Sequence, residues 1–279
     1  MTAVIGFMQG RLCDRVDGKI QAFPWADWEK EFPAAQALGI PAMEWTLDRD
    51  RLFENPLMTE VGRARIAELS RQHRVKVTSL TGDLFMQAPF WKAEGAARAK
   101  LLTELDQLID ACARAGIGFI VVPLVDAGGM ADKAQEDLVV AELTARADML
   151  RARGVKIVFE CDYPPAQLAA FIARLPADVF GINYDIGNSA SLGYDSAEEI
   201  AAYGDRILNV HIKDRVLGGT TVPLGTGNAT LAETLGRIVR SGYRGIYILQ
   251  TARAAENNHA EVLRKYRDMS AGWIAEAGG

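Results

Sequence analysis

The sequence predicts one α/β domain over residues 1–279, a single (β/α)8 TIM barrel, and three observations carry that reading. Eight short apolar runs recur along the chain, each followed by a loop and a longer stretch with helical spacing of Leu, Ile, Ala and charge. The runs are apolar on both faces, as buried parallel strands are. A length of 279 residues with 49% hydrophobic content is the size of one such barrel.

The strands are read in order at 3–8, 42–46, 75–80, 119–123, 156–160, 180–185, 207–212 and 246–250. Helical patterns stand between them: AAQALG before the second, ELDQLIDACARAGIG before the fourth, VAELTARADMLRARGV before the fifth and TLGRIVRSGYRG before the eighth. Several end on Gly, which tolerates the left-handed helix stop. A doubly wound sheet is the alternative. No Gly-x-Gly-x-x-Gly turn follows the first strand, however, and eight near-equal repeats favour closure. The longer irregular stretches, 85–95 and 216–227, both follow strands and so belong to the face where barrels carry their chemistry.

A net charge of −5 offers no basic footprint for nucleic acid. No apolar run approaches the roughly 20 residues that span a bilayer, and MTAVIGFMQGR lacks the marks of a signal peptide, so the expected location is cytoplasmic with no membrane partner. Cys13, Cys112 and Cys161 are too widely spaced for a disulfide framework or a Cys-x-x-Cys metal clip.

In a barrel the catalytic groups gather at the C-terminal ends of the strands. Here the second strand ends MEW with Glu44, the fifth VFECD with Glu160 and the sixth INYDIGN with Asp185. The seventh ends NVHIKDR with His211 and Lys213, and the eighth ILQT with Gln250. Taken singly, Asp185 reads equally as an Asx turn and Glu160 as a rim acid. Their coincidence on neighbouring strands is what points to a site. Two carboxylates, an imidazole and an amide oxygen suit one divalent cation such as Mn²⁺, Mg²⁺ or Co²⁺, with Zn²⁺ as a further option. His211 lies on a buried strand, unlike His73 and His259, and needs either a core hydrogen bond or a metal.

Around these, Arg215 and Lys213 read either as a solvated cationic loop or as a grip on substrate oxygens or a phosphate, with Gly225 and Gly227 letting backbone amides approach. Gln9, Arg11 and Arg253 follow the first and eighth strands and read as substrate contacts or as plain surface residues. Trp45 is the aromatic residue placed as a sugar-facing wall.

The segments VFE, NYDIGN, NVHIKDR and PLGTGN with a polar end to the last strand, together with the opening GFMQGRL and KIQAFPW, resemble the sugar phosphate isomerase/epimerase family of xylose isomerase-like barrels. The resemblance implies a metal held by Glu160, Asp185 and His211 with residue 250, a small sugar or sugar phosphate as partner, and an enediolate formed by proton abstraction. Homo-oligomerisation is a further family-level expectation. In the family's epimerases the fifth- and eighth-strand glutamates form the acid/base pair.

This chain departs from that pattern at Gln250. An amide gives an oxygen to a metal but accepts no proton at useful pH. A second proton-transfer group is then needed, from Glu44, Lys213 or Asp83 of the TGD loop, with Asp83 also read as a substrate contact. Otherwise the reaction needs one base, as in aldose-ketose isomerisation or a dehydration of the inosose or dehydroshikimate type. The remaining alternative is a sugar-binding barrel without turnover. An abasic-site endonuclease is disfavoured, since its metal cluster needs more histidines than the three present.

Overall fold

The computed structural model describes residues 3–278. Eight parallel strands close on themselves in chain order: β1 Ile5–Met8, β2 Ala42–Thr46, β3 Lys76–Thr81, β4 Phe119–Leu124, β5 Lys156–Cys161, β6 Phe180–Asp185, β7 Ile207–Ile212 and β8 Tyr247–Leu249. Each read strand is present, with ends shifted by at most two residues. Helices follow the strands on the outside, among them Glu60–His73, Gly95–Ala115, Leu231–Arg240 and His259–Glu276. Gly116 and Gly154 end their helices at φ 73 and 65, donating back to the last turn, and the chain then enters β4 and β5.

Period-two alternation decides what each strand buries. Phe159 faces outward and packs edge-on against Phe171 of helix Pro165–Ile172, so its neighbour Glu160 faces the barrel axis. Leu231, Leu235, Ile238 and Val239 form the buried stripe of helix Leu231–Arg240, and each such side chain contributes about 1.5–3 kcal/mol by leaving water.

Two irregularities shape the interior. The β2–β3 register jumps from Met43↔Val77 to Glu44↔Ser79, and the β6–β7 register from Ile182↔Ile207 to Asn183↔Asn209. Thr78 and Leu208 are therefore extra residues, and each bulge re-aims the residue after it. Gly181 makes room for the second, since a Cβ there would stand 2.5 Å from Leu208 Cδ1.

Of the two irregular stretches, 85–95 contains the buried Phe85, Phe90 and Trp91, with Trp91 Nε1 donating to Gly128 O at 3.1 Å. The other begins in a two-stranded antiparallel ribbon, Asp214–Arg215 with Thr221–Val222. Among the described residues no helix is long and apolar enough to cross a membrane.

Candidate metal centre

Glu160, Asp185 and His211 come together at the ends of β5, β6 and β7, each offering one ligand atom, all within 4.8 Å of one another. Asp185 serves two roles at once. Its Oδ1 accepts from Asn188 N at 2.8 Å and caps helix Ile186–Leu192, while its Oδ2 faces the site. Glu160 is held by two amides, Asn188 Nδ2 at 2.5 Å on Oε1 and Asn183 Nδ2 at 3.0 Å on Oε2. His211 donates Nε2–H to Glu44 Oε1 at 2.7 Å, which leaves Nδ1 facing Glu160 Oε2 at 3.3 Å and Asp185 Oδ2 at 3.9 Å.

Burial pushes the His211 imidazole down, but the charge of Glu44 and the carboxylates of Asp185, Glu160 and Glu44 facing its ring nitrogens outweigh it and hold the ring well above its ordinary value. Burial likewise raises Glu44, and the His211 partner with the Ser79 and Thr81 hydroxyls more than reverses this, so Glu44 lies below the usual carboxylate range.

Lys213 reaches over the same oxygens. Its Nζ donates to Asp185 Oδ2 at 3.2 Å, Gln250 Oε1 at 3.2 Å and Asn188 Oδ1 at 3.0 Å. The stem crosses Gly187, where a Cβ would meet Lys213 Cγ at 2.6 Å, so any larger residue there must displace the lysine. The oxygens of Asp185 and Gln250 thus already converge on a positive charge. Two carboxylates and one imidazole nitrogen within 4.8 Å, with an amide oxygen beside them, fit a divalent cation.

Several predicted residues take other places. Glu44 is fully buried beneath His211 and its two oxygens accept four donors: Ser79 Oγ, Thr81 Oγ1, Asn209 Nδ2 and His211 Nε2. With four donors on its two oxygens, Glu44 is held against the imidazole and has no lone pair free toward the mouth. Trp45 is no sugar wall: it points out of the barrel, packs between Phe23 and Trp28, and gives its Nε1–H to Asn55. One step along a strand reverses the face, and Glu44 takes the inner one.

Arg11 donates to Thr251 O at 2.9 Å, and Arg253 donates to the carbonyls of Gly10 and Cys13. Both fasten the loop after β1, which Glu31 grips from the other side by accepting from Gly10 N and Leu12 N. Gln9 is buried, with Oε1 accepting from Thr46 N at 3.1 Å. Arg215 spends its guanidinium on Gly219 O and Asn188 Oδ1. Gly225 N and Gly227 N do not await a phosphate. Together with Ala229 N they donate to the buried Asp214 carboxylate, and a Cβ on Gly227 would stand 2.2 Å from Asp214 Oδ1.

The reading of the sequence missed Asn183, Asn188 and Asn209. Asn209 Nδ2 donates to Glu44 and to Asn183 Oδ1, and Asn183 in turn holds Glu160, so one amide chain links the orienting acid to the strand-end acid. Their signal was present: Asn183 and Asn209 lie two residues before Asp185 and His211, on the same inward face. Gln21, whose amide lies between Asp83 and Gln250, carried no such signal.

This chain belongs to the xylose isomerase-like TIM barrel family, whose model matches residues 32–269. It is similar to L-ribulose-5-phosphate 3-epimerase UlaE of Salmonella paratyphi A, with 25% identity over 260 residues that cover 90% of this chain and 91% of that one. Its fold is that of the D-allulose 3-epimerase of Methylomonas sp. solved with D-allulose, at TM-score 0.77, 17% identity and 96% coverage of each chain. It is also that of the IOLI protein solved with a zinc atom, at TM-score 0.76, 18% identity and 98% coverage of each chain.

Proposed function

We propose that this protein is a divalent-metal-dependent epimerase or isomerase that moves the proton beside the carbonyl of a small ketose or ketose phosphate. The observation that carries the proposal is the meeting of Glu160, Asp185 and His211 within 4.8 Å at the barrel mouth, and sugar epimerases among the similar proteins support it. Glu160, Asp185 and His211 would hold the metal, with Gln250 adding an oxygen. The bound metal supplies Lewis-acid polarisation, which lowers the cost of negative charge on the carbonyl oxygen as the proton leaves.

Glu160 is the base for that proton. Its amide partners Asn183 and Asn188 fix the carboxylate in one orientation, so little reorganisation is left for the moment of transfer. Glu44 holds His211 in the tautomer that turns Nδ1 toward the site. Lys213 keeps Asp185 and Gln250 drawn together. The test is proton exchange. Incubated with Mn²⁺ and a panel of ketoses and ketose phosphates in D₂O, the protein should wash out the proton beside the carbonyl, and Glu160→Gln should abolish the exchange. A panel that shows no washout refutes the proposal.

A further inference from the structure

Gln250 leaves the proposed reaction with one carboxylate, Glu160, for two proton transfers, and the following inference rests on that reading. The hydrogen bonds around Gln250 lead to a second acid. Gln250 Nε2 donates to Gln21 Oε1 at 3.3 Å, and Gln21 Nε2 donates to both oxygens of Asp83 at 3.0 and 2.9 Å. A single amide group therefore separates Asp83 from the polar end of β8.

Asp83 has no evident structural task. It precedes the short helix Leu84–Gln87 with helical backbone angles, φ −59 and ψ −24, and its side chain makes no capping hydrogen bond. Its side-chain partner is Gln21, from a loop 62 residues away. Burial pushes its carboxyl up to about 7; the Gln21 hydrogen bond and Arg11 pull down, while the charges of Asp48 and Glu160 push further up. Glu44 is saturated by four donors, and Lys213 is shared among three oxygens.

We propose that Asp83 is the second proton-transfer group, and that the Gln21 amide holds the place of substrate between Asp83 and Gln250. That amide donates to Asp83 and accepts from Gln250, and a sugar hydroxyl meets both demands, since it donates one proton and accepts at its lone pairs. In the inverting direction Glu160 takes the proton from carbon and the C–H electron pair moves toward the carbonyl, giving an enediolate. The Asp83 carboxyl then delivers its proton to the same carbon, the electron pair forms the new C–H bond, and the carbonyl returns. Glu160 is left protonated and Asp83 ionised. Proton exchange with water restores both.

Asp83→Asn is nearly isosteric and keeps an acceptor for Gln21. With Mn²⁺-loaded protein in D₂O and a ketose that the parent converts, the variant should lose epimer formation about 100-fold or more while still washing out the starting sugar's proton through Glu160. Asp83→Glu should recover part of the conversion. Conversion by Asp83→Asn at the parental rate overturns the assignment. So does equal loss of washout and conversion with metal content unchanged, because Asp83 would then not be confined to the second transfer. A parent that exchanges no sugar overturns the proposed function itself, and this assignment with it.

Discussion

Glu44 and His211, on β2 and β7, meet across the barrel interior with Glu44 Oε1 2.7 Å from Nε2, while the opposite ring nitrogen faces the strand-end carboxylates. An acid that looked like a reactive group from its place in the chain thus supports the imidazole. Glu44→Gln keeps the size but leaves one oxygen for four donors, so the imidazole loses its fixed tautomer. Metal affinity should fall about 10–100-fold, as it does when such supporting partners are lost. Calorimetric titration with Mn²⁺ measures this, with circular dichroism reporting an unchanged fold.

Gln250→Glu has two opposed effects. A third negative ligand should tighten metal binding about tenfold, the result of roughly 1.4 kcal/mol of added attraction. The same change removes the Nε2–H that Gln21 Oε1 accepts, setting two acceptors face to face across the mouth. Metal titration should therefore show a lower Kd. An unchanged Kd would place residue 250 outside the metal shell.

Gly187→Ala puts a methyl group at 2.6 Å from Lys213 Cγ and 2.9 Å from Lys213 Cβ. The lysine must lift from Asp185 and Gln250. Overpacking of this kind costs about 1–3 kcal/mol, which thermal unfolding reads as a lower Tm. Ketose proton exchange should fall by about 100-fold, the cost of a displaced site group. Tolerance of alanine would show that Lys213 is not held where the structure has it.

Glu31 couples the loop after β1 to pH. Burial pushes its carboxyl up to about 7, against the pull of the Gly10 and Leu12 amides and of Arg253 and Arg11. Unfolded, it releases its proton near the ordinary carboxylate value, so between that value and about 7 the folded protein binds more protons. Stability then declines as pH rises through that window, by on the order of 3 kcal/mol from this group. Urea unfolding of the parent and of Glu31→Gln should agree near pH 4 and differ near pH 8, with the variant gaining. A constant difference across that range would refute it.

The strands and the central triad were legible because buried parallel strands read as nearly unbroken apolar runs, against which Glu160, Asp185 and His211 stand out as polar ends. Trp45 was misplaced because adjacent strand residues face opposite ways and the face had to be known first, whereas Glu44 faces inward but lies below His211, a depth set only once the barrel closes. Gly225 and Gly227 do bring backbone amides to an anion, but the anion is Asp214 of the same chain. Gln21 was beyond reach, because its partners Asp83 and Gln250 lie 62 and 229 residues away and meet only after the barrel closes.

Asp214 also sets how the loop after β7 behaves in time. Three of its amide hydrogens end on a carboxylate closed off from solvent, so opening the loop means stranding that charge. Such a segment opens rarely, and its amides should exchange slowly despite its place at the surface. The mouth is therefore moulded before any ligand arrives on this side. Recognition there loses little entropy to ordering, and a ligand of the wrong shape meets a wall that does not yield.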